Sequence, residues 1–174
     1  MAIQRIKMSE LKMQGTLTIH HRDAKTGAVI WTHTKRNIIT FAAGDIVRAL
    51  MAQRATDTPA TQLQWGSIRL GSSSQAPSRY DTDLIMEVAG LRRELTDAKK
   101  VNGVTGEIAL QATLLSTEGN GFTFQEAGVF TLGAAAYSAD VGGSLQLWAR
   151  QVHAAFTKSN AFSVDYNWTF QFTT

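Results

Sequence analysis

The sequence contains no cysteine among its 174 residues, and it has only two prolines. The lack of cysteine excludes disulfides and thiolate metal sites, and it is typical of a protein that folds in a cytoplasm. No stretch approaches the roughly 18 consecutive apolar residues that a membrane-spanning helix needs. No apolar segment follows the basic N-terminal residues, as it would in a secretory signal. We therefore expect no membrane insertion and no signal peptide.

Charge of either sign is also sparse, since charged residues make up 18% of the chain and the net charge is +3. The basic residues are spread along the chain and alternate with acidic ones. Nucleic-acid binding favours a basic face with stacking aromatic side chains beside it. Here the aromatic residues fall instead in segments that read as strands, so we do not expect nucleic acid to be a partner.

The last stretch, residues 161–173, has the clearest pattern in the sequence. Its even positions are all large and apolar, and its odd positions are all small or polar. Side chains of a strand point to alternate faces, so the pattern predicts one long strand with an aromatic face. A slip of one residue would expose the whole aromatic face, so the register should be firmly set. We expect Trp168 to be a core residue at the centre of this strand.

The rest of the chain predicts a mainly-β protein. Alternation and turn signals indicate about eight strands, among them a hairpin with its turn at residues 23–27 and two strands flanking a Glu-Gly-Asn-Gly turn. Such a pattern is typical of an antiparallel β-sandwich, of which the jelly roll is one type. Residues 15–174 are expected to form this single domain, and residues 1–14, which lack a clear period, an N-terminal arm.

Two helical segments are expected. An apolar stripe at helical spacing, with Thr40 as a possible cap, predicts one α-helix near residues 40–53. Residues 81–87 are expected to form a single helical turn, capped by Asp81 or Asp83.

Two groups of polar residues are considered as a metal site and a phosphate-binding site. The first hairpin carries candidate metal ligands, but two of them are adjacent and point to opposite faces of a strand, which disfavours convergence on one ion. These residues are His20, His21, Asp23 and His33. The serine-rich loop at residues 71–74 lacks both the lysine and the long helix of a phosphate-binding loop. We expect no metal and no cofactor.

An enzymatic role finds little support in the sequence. Glu118 and Glu126 could suggest glycoside hydrolysis, but nothing holds them at a fixed separation across a cleft. No nucleophile, base and orienting group can be assembled. We expect a non-catalytic protein without a small-molecule substrate.

Glu126 lies in an apolar segment between Phe124 and Val129. A buried carboxylate needs a partner, because an unpaired buried charge is costly. One interpretation is therefore a buried ion pair, and the candidate partners are Arg92, Arg93 and Arg150. The other is a solvated glutamate at a strand end.

Three motifs in succession resemble those of tailed-bacteriophage virion proteins. They are a Gly–small–Pro–Asp–Thr–x–Leu segment at residues 71–84 followed by Glu87 and Arg92-Arg93, a Glu–Ala–Gly–x–Phe segment at residues 126–130, and a Leu–x–Ala–Arg segment at residues 147–150. Each motif is short, and their order and spacing carry the resemblance, which covers roughly residues 65–172.

This resemblance implies a β-sandwich that builds virions without catalysis. Such proteins occur among tail-fibre, baseplate, collar and head-accessory components. We therefore expect a homo-oligomer that docks onto other virion proteins and is assembled in the host cytoplasm. The alternative is a receptor- or carbohydrate-binding module on the same scaffold, which would need exposed aromatics. Three aromatic residues could be available outside the core: Tyr80, Tyr137 and Trp148.

Overall fold

The computed structural model describes residues 12–44, 64–94, 97–102, 107–132 and 146–173. Within these ranges the chain forms nine strands and the first turn of one helix, α1, at residues 41–44. The strands are β1 (Lys12–Asp23), β2 (Val29–Ile39), β3 (Gln64–Gly71), β4 (Glu87–Glu94), β5 (Asp97–Asn102), β6 (Glu107–Leu114), β7 (Thr123–Leu132), β8 (Gln146–Thr157) and β9 (Phe162–Thr173).

All nine strands belong to one antiparallel sheet, in the order β4-β3-β7-β8-β2-β1-β9-β6-β5. The two halves of the sheet meet at β2 and β8, which pair only through Ile38 opposite Arg150 and Ile39 opposite Ala149. Both halves contribute to one apolar core, and the Trp148 and Phe170 rings meet across it with centroids 6.2 Å apart. The sheet therefore curls around a shared interior.

Strand β9 is the centre of its half of the sheet and confirms the predicted alternation. Val164, Tyr166, Trp168 and Phe170 are at most 1% exposed. β9 pairs with β1 on one side and β6 on the other, so that Trp168 lies between Leu17 and Leu110. Among its described polar side chains, Ser163, Asn167 and Thr169 are partly exposed and Gln171 is exposed, whereas Asp165 is buried.

The buried Asp165 carboxylate has a polar partner for each of its two oxygens. The Thr113 hydroxyl donates to its carboxylate at 2.8 Å, and the Arg22 guanidinium forms an ion pair with the other oxygen. One partner comes from β1 and the other from β6, the two strands that flank β9. The pairing therefore spans the three central strands of this half of the sheet, in line with the rule that buried charges are paired.

The first hairpin forms as predicted, and its turn shows the local cause. Asp23 Oδ1 accepts hydrogen bonds from the backbone amides of Lys25 and Thr26 at 3.0 and 2.8 Å. Gly27 follows with φ of 71°, a left-handed conformation that favours glycine. Together these features close β1 onto β2.

The structure shows where β1 and α1 begin. Residues 12–14, which the sequence assigns to the arm, begin β1 and pair with the end of β9; residues 1–11 lie outside the described residues. Thr40 caps α1 as predicted, because its hydroxyl accepts a hydrogen bond from the Ala43 amide at 3.3 Å. The rest of the predicted helix, from residue 45, also lies outside the described part.

The predicted helical turn at residues 81–87 is wrong. Residues 81–86 are irregular, and Glu87 begins β4. Asp81 and Asp83 do bond local amides, but the Asp81 carboxylate accepts from Ser78, which precedes it. Contacts with side chains of β7 and β8, which are far away in the sequence, set the conformation of residues 81–86 instead.

The mainly-β, antiparallel class is confirmed. The assignment to a sandwich or jelly roll stays a prediction, because the nine described strands form one hydrogen-bonded sheet. The sequence predicts about eight strands where the described residues form nine, and it gives no strand signal for β4 and β5, in which apolar and polar residues do not alternate cleanly.

Replacing Trp168 with alanine should lower the free energy of unfolding by about 3–5 kcal/mol, because it removes a buried ring from the centre of the core. Thr169→Ala, at the partly exposed neighbouring position, should cost less than about 1 kcal/mol. Urea denaturation of both variants measures the difference. Equal losses would contradict the assignment of the aromatic face to the core.

Candidate functional site

The most unusual feature of the core is a buried ion pair between Glu126 of β7 and Arg150 of β8. Arg150 Nε donates to Glu126 Oε2 at 2.8 Å, and Arg150 Nη2 lies 2.7 Å from the same oxygen. Both side chains are 0% exposed. The predicted pairing of Glu126 with an arginine is thus confirmed for Arg150, and the interpretation as a solvated strand end is wrong.

The remaining hydrogen-bonding capacity of Arg150 goes to the loop between β3 and β4. Its Nη1 donates to Asp81 Oδ2 at 3.0 Å, and its Nη2 donates to the backbone carbonyl of Gln75 at 3.0 Å. A guanidinium presents several donors in a rigid fork, so one side chain can hold two points of a loop and a neighbouring strand together.

Glu126 holds the other end of the same loop. Its Oε1 accepts from the Met86 amide at 2.8 Å, and its Oε2 accepts from the Ile85 amide at 3.3 Å. The loop at residues 72–86 is therefore tied to the sheet through both members of the ion pair. These bonds provide the compensation that a buried charge requires.

Two glycines make room for this arrangement. A Cβ at Gly71 would collide with the Glu126 side chain and would lie 2.6 Å from the Met86 carbonyl oxygen. A Cβ at Gly128 would lie 2.8 Å from Leu147 and 2.9 Å from Leu84. A larger residue at position 71 would therefore meet the loop backbone, and one at position 128 would displace the Leu147 and Leu84 side chains.

A small apolar cluster lies beside the network. It consists of Leu84 from the loop, Phe130 from β7 and Leu147 from β8. The Arg69 guanidinium lies 4.3 Å from the centre of the Phe130 ring, and its Nη1 is 3.2 Å from Glu87 Oε2. The loop is thus held by apolar packing as well as by charge.

The three sequence motifs converge on this site. The residues that meet here, and that the motifs contain, are Gly71, Asp81, Leu84, Glu126, Gly128, Leu147 and Arg150. Sequence reasoning missed Asp81 as a partner of Arg150, although the first motif contains it. It also missed the amides of residues 85 and 86, for which the sequence carries no signal.

The other expected site residues do not take part in the described network. Arg92 and Arg93 lie in β4, opposite Arg69 and Ile68 of β3, and their side chains fall outside the described part of the structure. Trp168 is a core residue of β9. Glu126 and Arg150 have no contact with solvent, and their hydrogen bonds hold the loop in place.

A second cluster joins three histidines where β2 and β8 separate. His21, His33 and His153 come from β1, β2 and β8, and each has a buried Nε2 without a hydrogen-bond partner in the described structure. Their rings pack against aromatic neighbours: His21 stacks on Phe162 at 4.7 Å, and His153 stacks on Phe156 at 5.6 Å.

This environment favours neutral histidines. Burial, together with the nearby Lys158 ammonium, lowers the pKa of His21 from 6.5 to about 4. Burial also lowers the pKa of His153 to about 4, although its hydrogen bond to the Ala154 carbonyl acts in the opposite direction; the other two histidines and Lys35 lower the pKa further. The pKa of His33 is lowered by burial and then by Lys35.

The hairpin residues considered as metal ligands do not converge. His20 points away from His21 and bonds the Thr32 hydroxyl at 3.0 Å, while Asp23 is engaged in the turn. Among the residues that the structure describes, no group of three His, Cys, Asp or Glu side chains is placed to hold a metal ion.

Comparison with known proteins yields no relative. No family model, no curated protein and no solved structure matches this chain. Within the described ranges, no helix is both long and apolar enough to cross a membrane. The geometry of the chain itself therefore carries the functional argument.

Glu126→Gln should lower the free energy of unfolding by about 3 kcal/mol, because it removes the fully buried countercharge of Arg150 and leaves the guanidinium with Asp81 as its remaining described ion-pair partner. Adding Arg150→Met should recover part of this loss, since an apolar side chain does not need a countercharge. The recovery should be incomplete because Asp81 then loses its partner as well.

Chemical denaturation of the two single variants and the double variant gives the coupling energy. Glu107→Gln, at a partly exposed position of β6, serves as the control and should change stability little. A coupling below about 0.5 kcal/mol would contradict a stabilising role of the pair.

Stability should fall as the pH is lowered from 6.5 towards 4. In the unfolded chain the histidines take up protons near pH 6.5, whereas His21 and His153 in the folded protein do so only near pH 4. The unfolded state therefore binds more protons across this window, which destabilises the fold. Urea denaturation at several pH values measures the slope.

His153→Gln should reduce this slope, since it removes one of the two strongly shifted groups. His20→Gln, which changes a histidine on the outer face of the hairpin, is the control and should leave the slope unchanged. Equal slopes for His153→Gln and the unmodified protein would contradict the role of the cluster.

Proposed function

We propose that this chain is a non-catalytic structural component of a tailed-bacteriophage virion, which self-associates and docks onto other tail or head proteins. The observation that carries the proposal is the convergence of the three motifs. The residues by which the chain resembles virion proteins meet in a largely buried network that holds one loop against the sheet. Residues that hold a loop in place fix the shape of the surface around it, and a protein that assembles with others needs such a fixed surface.

Self-association finds a physical basis in the free edge of β2. Over residues 29–34 this strand pairs with β1 on one side, and on its other side no described strand pairs with it. A stretch of strand with one unpaired side can pair with a strand from another chain. Val29 and Ile30 add exposed apolar surface at this edge, and Ile30 is 59% exposed.

A second copy of this chain is the partner that we assign to this edge. Antiparallel pairing of residues 29–34 about a twofold axis would place Val29 opposite Thr34 and leave Lys35 and Arg36 outside the paired stretch. Like charges would then not face each other, and each copy would use the same surface, as twofold symmetry demands. Docking to other virion proteins would use the remaining surface.

The alternative function, a receptor- or carbohydrate-binding module, is favoured by one observation. Tyr80 is 80% exposed, and its ring lies 5.0 Å from that of Phe41, which is also exposed. Such an aromatic pair can contact a ligand. Trp148, by contrast, is 1% exposed and is not available, and Tyr137 lies outside the described residues.

The virion role is tested by protein inventory of purified phage particles separated into heads and tails. We expect the chain in one fraction at a fixed ratio to a known component. Its presence in infected cells but absence from purified particles would contradict the proposal. Retention on a host surface without particle incorporation would favour the alternative.

Ile30→Lys should lower the oligomeric state of the purified protein, because a lysine at a strand edge disfavours pairing with another chain. Light scattering at several concentrations measures the molar mass. Leu115→Lys is the matched control, since Leu115 is similarly exposed but lies in a turn. A monomeric unmodified protein, or equal effects of both variants, would contradict this edge as the interface.

A further inference from the structure

Lys158, in the turn between β8 and β9, is a buried lysine that belongs to neither network described above. It is 1% exposed, and its Nζ donates to three oxygen atoms. These are the Ser159 carbonyl at 2.7 Å, the Ser116 carbonyl at 3.2 Å and Asn120 Oδ1 at 3.2 Å. Burial lowers the pKa of Lys158, although the Glu118 carboxylate acts in the opposite direction. Burial therefore shifts this side chain towards the neutral amine, which is the nucleophilic form of lysine.

We propose that Lys158 and Asn120 form an intramolecular isopeptide bond. In this step the Lys158 Nζ attacks the Asn120 side-chain carbon Cγ, and a new C–N bond forms. The Cγ–Nδ2 bond breaks, and Nδ2 leaves as ammonia with a proton that Nζ gives up. An amine and a carboxamide thus yield a secondary amide and ammonia, so the step needs no oxidant, reductant or further reactant. The proposal goes beyond the virion role and does not depend on it.

The three partners of Nζ suit a neutral amine that faces the Asn120 carboxamide. A protonated lysine has three N–H donors, whereas the neutral amine has two and a lone pair. The backbone carbonyls of Ser116 and Ser159 can accept the two N–H groups. The lone pair is then left to face the third partner, which is the side chain of Asn120.

The two turns hold the reacting groups next to each other. Asn120 Nδ2 donates to the Ser116 carbonyl at 3.0 Å, the same carbonyl that Nζ contacts. The backbones of the turns are also joined, because the Gly121 amide donates to the Lys158 carbonyl and the Lys158 amide to the Phe122 carbonyl, both at 2.9 Å. Such a fixed approach replaces a bimolecular encounter and can lower the barrier by several kcal/mol, on the order of 7–11 in well-oriented cases.

The surroundings suit both the attack and the release of the leaving group. The centre of the Phe162 ring lies 5.1 Å from Nζ, which places an apolar face beside the amine. Asn120 itself is exposed, so that ammonia can leave directly into solvent. The amine is therefore shielded from water while the leaving group is not.

The bond would tie the turn between β6 and β7 to the turn between β8 and β9. A covalent link between distant parts of a chain restricts the unfolded state and so favours the folded one, as a disulfide does. The chain contains no cysteine, so no disulfide can serve this purpose. The isopeptide bond would fasten the start of β9, the central strand of its half of the sheet, to the neighbouring turn.

Intact-mass spectrometry of the purified full-length protein tests the proposal. We expect a mass lower than that of the sequence by one ammonia molecule. Protease digestion should release a branched peptide that joins the segments containing Asn120 and Lys158. The full sequence mass, with the two segments recovered only as separate peptides, would overturn the proposal. A succinimide at Asn120-Gly121 would also lose ammonia; cleavage there by hydroxylamine, without a branched peptide, would overturn it as well.

Variants identify the two partners. Asn120→Ala changes an exposed side chain and should restore the full mass and abolish the branched peptide. Asn160→Ala, at an exposed position of the other turn, is the matched control and should still lose ammonia. Lys158→Met removes the amine and should also prevent the loss. Thermal unfolding checks the fold, and its midpoint should fall more for Asn120→Ala than for Asn160→Ala. Loss of ammonia that persists in Asn120→Ala would overturn the assignment to this pair.

Discussion

The buried ion pair between Glu126 and Arg150 is the constraint on which the best-defined irregular part of this protein depends. Two charges without solvent contact are tolerable only when nearly all their hydrogen-bonding groups find partners. Those partners are backbone groups of the loop at residues 72–86 and the carboxylate of Asp81. The loop conformation, the glycines that allow close approach and the apolar packing of Leu84 all follow from that requirement.

The curled sheet imposes a second constraint, because its halves share one core but only two residue pairs join β2 to β8. Where these strands separate, side chains replace backbone pairing. The Lys35 ammonium reaches the Val152 carbonyl at 3.2 Å, and buried histidines pack among aromatic rings. The junction therefore depends on histidines that remain neutral, whereas the centre of each half depends on apolar burial.

The residues that hold the fold together are different from those proposed to contact partners. The motifs that resemble virion proteins belong to the scaffold, so they support an assembly role through the shape that they maintain. The proposed contact with a second copy lies elsewhere, at the edge of β2 over residues 29–34, where the residues of the strand are largely exposed.

The sequence by itself determined the features that depend on local periodicity and turn chemistry. The alternation of β9, the Asp23 turn and the cap at Thr40 each involve residues close in the chain, so their pattern is visible without a structure. The need of Glu126 for an arginine also followed from its apolar neighbours. Only the tertiary structure decided that the arginine is Arg150, that Asp81 joins it, and that residues 81–86 are not helical. It alone also placed Asn120 beside Lys158, because such contacts depend on how distant strands pair, and local sequence carries no record of that pairing.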